Sequence, residues 1–240
     1  MKHKILWLSH IAPFPPIGGV LQRSHNLLIQ LAQHHHVDLL SFYQAKPLLT
    51  HFDDIAGGLQ QAKEALTSYC DHVEFLPIAS DQQKLGQQKL AFKSLFSPRG
   101  YTVDWLASQD YADALQKIAT NYDLVHFDTV SLAPFRRLLN CKTVLNHHNI
   151  ESQMMLRRAE QESNLLKKAY FYQEGIKLER YERKIAPEFD LHVTCSDLDS
   201  DRLREINPLA NCISVPNGVN REFMAANYSQ TGNPDRKSVV

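Results

Sequence analysis

The chain has 240 residues, 43% of them hydrophobic, enough to bury the core of one large α/β domain or two small ones. Its 26 lysines and arginines balance 26 aspartates and glutamates, so charge predicts no nucleic-acid partner. No apolar run approaches the ~18 residues that span a bilayer. Lys2 and Lys4 precede only a short apolar stretch that meets His10 and three prolines without a small-residue cleavage site. No signal peptide is therefore expected, and the cytoplasm is the expected compartment. Four widely separated cysteines without a CxxC pair read as reduced and structural.

In chain order, an apolar strand at 5–10 runs into a proline-rich loop and Gly18–Gly19, then into a helix over 20–34 with Leu21, Leu28 and Leu31 on one face. The glycines allow close approach of a ligand to the backbone, and the helix start offers unpaired N–H groups to an anion. His34, His35 and His36 close this helix, where imidazolium suits the C-terminal dipole better than adjacent histidines suit a metal. Strands follow at 37–42, 73–78, 123–127, 143–148, 191–196 and 213–217, with helices at 58–69, 104–121, 151–185 with a break, and 197–206. Ser196 and Asp199 form a capping pattern for the last helix. This alternation predicts an α/β, Rossmann-like, doubly wound and mainly parallel sheet of about seven strands with helices on both faces.

Two segments depart from the alternation. Residues 81–100 are glutamine-rich and basic, with Lys84, Lys89, Lys93 and Arg99 interleaved with Leu85, Leu90, Phe92, Leu95 and Phe96. Such a piece is either a helix packed on the sheet with a solvated basic face or, through 84–99, a peripheral contact with the inner face of a membrane. The tail after Phe223 is polar and reads as a linker.

Ligands of open parallel sheets bind beyond the carboxyl ends of the strands. That rim would hold His10, Gly18, Gly19 and Arg23 after the first strand, and His126 and Asp128 on the fourth. His147, His148, Asn149 and Glu151 follow the fifth, and Ser196 and Asp197 the sixth. Histidines at neutral pH accept protons from hydroxyls, so such a rim suits transfer to an alcohol. His126 and Asp128 are expected to hydrogen-bond one another, and Glu151 to cap the helix it opens. Glu174, Glu179 and Glu182 read as surface partners of Lys177 and Arg183 on a long charged helix.

The first strand with its PPIGG loop and Arg23, HHNIES after the fifth strand, CSDLDSDRL and above all VPNGVN (215–220) resemble, in order and spacing, the N-terminal half of family 4 glycosyltransferases. Those are retaining enzymes of the GT-B fold, built of two facing Rossmann-like domains. The resemblance implies a domain over 1–220, with 221–240 as the hinge and start of a linker to a nucleotide-sugar domain beyond this chain. It implies that Gly18 and Gly19 approach the donor diphosphate or the acceptor. It also implies that Arg23 holds an acceptor phosphate or carboxylate, the alternative being a solvated charge on the first helical turn. His148 matches the family's histidine at the reaction centre and His147 is the fallback. His10 joins the binding set, and His126, Asp128, Asn149, Glu151 and Ser196 stand behind it. Asn146 occupies the place of an aspartate two residues before that histidine in many members, which takes away that source of charge-assisted orientation. Glu174 and Glu182 have the spacing of the family's nucleotide-sugar carboxylates, but inside one helix, the wrong context.

The expected function is the acceptor-binding half of a retaining glycosyltransferase of polysaccharide biosynthesis, transferring sugar from a nucleotide-sugar donor to a glycan or lipid-linked acceptor. It needs no cofactor and no metal, and is inactive as an isolated fragment. The alternative is a stand-alone Rossmann-like binding or regulatory module for a phosphorylated small molecule. A dehydrogenase does not fit, because the first turn lacks G-x-G-x-x-G and no acid closes the second strand.

Overall fold

Seven strands form one all-parallel sheet: β1 Lys4–Ser9, β2 His36–Tyr43, β3 His72–Pro77, β4 Leu124–Phe127, β5 Lys142–Asn146, β6 Leu191–Thr194 and β7 Cys212–Ser214. Their order is β3-β2-β1-β4-β5-β6-β7, a doubly wound arrangement that reverses direction beside β1. The computed structural model describes residues 1–218; the expected linker at 221–240, and Val219 and Asn220 of the last motif, lie outside them.

The strands read as continuous apolar runs because both faces are covered. Leu6, Leu8, Leu40, Phe42, Val125 and Phe127 point into one core, packed by Tyr111 and Leu115 of α6 (Gln109–Ile118) and by the 3-10 segment Val130–Leu138. Ile5, Trp7, Val37, Leu39 and Val73 point the other way, against Leu28 of α1 (Gly19–His34) and Leu66 of α3 (Ile55–Thr67). A smaller cluster joins Ile150 and Ala186 to Leu203 and Ile206 of α9 (Asp197–Ile206).

Every expected strand is present, the first six within about two residues at each end and β7 ending at Ser214 rather than at 217. The helix expected at 104–121 is found as α6, which Ser108 starts by accepting from the Tyr111 amide and which ends in a 3-10 turn at Ala119–Asn121; a separate short α5 (Tyr101–Asp104) precedes it. The expected break in 151–185 separates α7 (Glu151–Gln161) from α8 (Leu165–Ile185), whose start is capped by Asn164. Elements outside the expectation include α2 (Ala45–His51), with Pro47 in its first turn, the Val130–Leu138 segment, with Pro134 inside it, and the 3-10 turn Ala186–Glu188. The histidine run does not close α1 as a unit. The helix stops at His34, and His36 opens β2 with its ring 2.9 Å from Asp71. The glutamine-rich segment forms α4 (Gly86–Ser94). Among the described residues, no helix is long and apolar enough to cross a membrane.

Candidate active site

The adjacent parallel strands β1, β4 and β5 end together, and this brings Ser9, His10, Asp128, Asn146 and His148 to one point at the carboxyl edge. Asp128 is the centre. It is fully buried, and its carboxylate accepts hydrogen bonds from Ser9 Oγ (3.1 Å), Ser24 Oγ (2.7 Å) and Asn146 Nδ2 (3.3 Å). His148 Nε2 lies 3.2 Å from Asp128 Oδ1, off the line of an ideal hydrogen bond, and His10 Nδ1 lies 3.8 Å from Oδ2. Burial alone would raise the Asp128 pKa. The surrounding His148, His10 and His126 outweigh it and hold the carboxyl down to about 2. Burial, opposed by Asp128, lowers His10 to about 4, so its ring is neutral at physiological pH.

The expected pairing of His126 with Asp128 does not form. His126 faces the other way, stacked on Trp7 with centroids 3.7 Å apart, and burial lowers its pKa to about 4. Asp128 belongs instead to His148. The charge that Asn146 cannot supply reaches His148 from the next strand, with Asn146 orienting the carboxylate.

His147 is withdrawn from the rim. Its Nε2 is 3.0 Å from His192 Nδ1, and His192 Nε2 is 2.9 Å from the Ala186 carbonyl. Because the carbonyl can only accept, His192 carries its proton on Nε2 and receives the N–H of His147 on Nδ1. Burial first, then His192 and His148, lower the His147 pKa well below its usual value, so this pair is neutral and structural. The Cys195 thiol reaches the carbonyls of His147 and His148, tying the turn after β5 to the end of β6.

Arg23 is neither a solvated charge nor free to grip a ligand. It is buried, and its guanidinium donates to Asn146 Oδ1 (3.1 Å), the Val215 carbonyl (2.7 Å) and Asn217 Oδ1 (2.9 Å). It links the chain leaving β7 to the Asn146–Asp128–His148 network. Gly18 and Gly19 are exposed at the start of α1. Gly18 has φ +89°, and an added Cβ on either would meet nothing within 4 Å. The backbone is open to a ligand there. Gly19 borders a cavity of about 200 Å³ shared with Arg23, Pro216 and Gly218. Asn149 is exposed, and Ser196 is spent capping α9, accepting from the Asp199 amide and donating to its carboxylate.

His10 opens instead onto a cavity of about 410 Å³ walled by Tyr101, Trp105, Tyr170 and Phe171, with Thr102, Thr129, Ser131 and Glu151 among them. Glu151 sits in the first turn of α7, and burial, opposed by His148, raises its pKa to about 7. It does not cap α7. Glu182 of α8 does so, accepting from the Ser152 amide and hydroxyl. Glu174 likewise accepts from the Tyr101 amide (2.7 Å), where Gly100 at φ +79° leaves room for its carboxylate. Both glutamates are buried helix caps, which corrects their reading as surface charges; the expected partnership of Glu174 with Lys177 is present at 4.0 Å, while Arg183 pairs with Glu179. The aromatic cavity was missed in the sequence, although Tyr170-Phe171-Tyr172 was a visible signal.

Ligand atoms of His10, Asp128 and His148 lie within 4.8 Å of one another, a spacing that a divalent cation could bridge. The Asp128 oxygens already accept from two hydroxyls and an amide, which favours the hydrogen-bonded network.

The profile of Glycosyltransferase Family 4 matches residues 17–223. No curated protein sequence matches the chain. Among solved structures, Anabaena Alr3699/HepE in complex with UDP-glucose superposes with a TM-score of 0.50 at 16% identity, and the same protein with UDP with 0.50 at 18%. Each alignment covers 92% of this chain and 45% of the other, so the chain spans about half the length of these proteins. At such identity the likeness establishes the fold alone. With a family profile running over most of its length, the chain belongs to glycosyltransferase family 4.

Proposed function

We propose that the chain is the acceptor-binding half of a retaining glycosyltransferase, moving sugar from a nucleotide-sugar donor to a hydroxyl of a glycan or lipid-linked acceptor. The observation that carries this reading is the ionised Asp128 held against His148 beside an aromatic cavity, in a chain of a glycosyltransferase family. Aromatic faces and hydroxyl groups suit sugar rings, which offer C–H surfaces to stack and O–H groups to bond. An acceptor hydroxyl passing Glu151 meets His148, whose imidazole is steered by Asp128. As the acceptor oxygen bonds to the anomeric carbon, the bond from that carbon to the diphosphate breaks and the hydroxyl proton leaves to a base.

The donor is held mainly by a second domain, with the open backbone at Gly18 and Gly19 facing its diphosphate. The crystallised complexes of HepE with UDP-glucose and UDP support a nucleotide-sugar donor. Neither cofactor nor metal enters this reading. His148→Ala, in the enzyme with both halves, is expected to lower turnover about a hundredfold or more with unfolding unchanged. Wild-type turnover in that variant overturns the assignment. The chain alone, with half of a water-poor cleft, is expected to turn over no nucleotide sugar.

A further inference from the structure

Large apolar side chains crowd two neighbouring pieces of surface. On α4, Phe92 is 65% exposed, and Phe96 just beyond its end is 80% exposed; the two rings meet edge to face at 5.8 Å. At the start of α8, Leu165 and Leu166 are 80% and 84% exposed. These pieces are fastened together. Lys177 Nζ donates to the Ser94 and Leu95 carbonyls at 2.8 Å each, and Gln173 donates to Leu95 at 3.1 Å. Leu166 is seven residues from Gln173, about 10 Å along the helix.

Cations outnumber acids on both pieces. No acid occurs between Asp81 and Asp104, where Lys84, Lys89 and Lys93 lie, nor between Glu162 and Glu174, where Lys167 and Lys168 lie. Arg99 is paired with Asp104 at 2.9 Å, and Asp81 accepts from Gln87 at the start of α4. Glu162, the nearest acid before α8, accepts from the Asn164 amide. In a chain whose charges balance overall, this is a local excess of cations among exposed phenylalanines and leucines. Such a surface matches an anionic bilayer, whose headgroups attract lysines and whose acyl boundary takes up apolar side chains.

The same elements wall the aromatic cavity, through Gln87 of α4 and Tyr170 and Phe171 of α8. We infer that this face docks on an anionic phospholipid bilayer, and that the cavity takes the sugar of an acceptor whose lipid is anchored in that bilayer. The second part rests on the transferase reading above.

The test is co-sedimentation of the chain with vesicles of phosphatidylcholine alone and of phosphatidylcholine mixed with phosphatidylglycerol. Binding to the mixed vesicles is expected. Phe92→Ser with Phe96→Ser, or Leu165→Ser with Leu166→Ser, should each weaken it at least about tenfold. Removal of each lysine should cost about fivefold, less at high salt. Because all these side chains are exposed, thermal unfolding should stay unchanged, which separates lost docking from lost fold. Equal binding to both vesicles, or binding untouched by either pair, overturns the inference. In the enzyme with both halves, the phenylalanine pair should slow transfer to a bilayer-embedded acceptor and spare a short soluble analogue. Transfer to soluble glycans without vesicle binding sinks this inference and leaves the transferase reading standing. Vesicle binding without transfer to any acceptor does the reverse to the transferase reading and removes the lipid-anchored acceptor with it.

Discussion

Asp128 and His148 illustrate how a residue's role is set by neighbours distant in sequence. Asp128→Asn keeps the shape of the side chain but turns one of its two accepting oxygens into an NH2 donor and removes the charge facing His148, and is expected to lower turnover at least about tenfold in the enzyme with both halves. His126 makes the opposite case, a histidine whose burial is a cost. Its folded pKa of about 4 lies below the unfolded value of 6.5, so between these values the unfolded chain binds the extra proton and stability falls as pH falls. His126→Phe retains the stack on Trp7, discards a buried unpartnered nitrogen and removes this proton linkage. The variant should therefore be more stable than the parent, by up to about 3 kcal/mol near pH 4, and its stability should depend less on pH over that window. Urea unfolding at a series of pH values checks this; a parallel pH dependence in both proteins contradicts it.

Among the elements, the α7–α8 pair shows where reading by pattern fails. Glutamates spaced along a lysine-rich helix look like surface charges, and Glu179 is one, paired with Arg183 at 2.7 Å on the outside. Glu182, three residues on, points inward to the start of α7, where burial first, against bonds from Ser152, raises its pKa to about 7. Nothing in the helix itself distinguishes the two; only the packing of α7 on α8 does. Glu182→Ala should cost about 2–3 kcal/mol by stripping partners from a buried helix start, whereas Glu179→Ala should change stability by under about 0.5 kcal/mol. Denaturant melts of the two variants check this, and equal effects would mean that Glu182 is not a working cap. α6 and α9 were more legible in outline, since Ser108 and Ser196 are local caps that need no tertiary partner.

At the scale of the whole molecule, Arg23 connects α1 to the ends of β5 and β6 and to the chain leaving β7. Arg23→Met would leave Asn146, Val215 and Asn217 without their donor, at a cost of about 3 kcal/mol, and should speed amide exchange over 212–217 before the rest of the sheet. Uniform exchange across the sheet would deny it that role. The sequence by itself determined the parallel sheet of seven strands, the helices between them and the rim where strand ends meet, because hydrophobic period and local caps act over a few residues. It also marked His10, His148 and Asp128 as rim groups. Only the tertiary structure decided which of them work together. The doubly wound strand order sets β1 beside β4 and β4 beside β5, so Asp128 meets His148 rather than His126, and Arg23 is consumed by carbonyls nearly two hundred residues away. Contacts of that range depend on strand order and register, which periodicity does not encode.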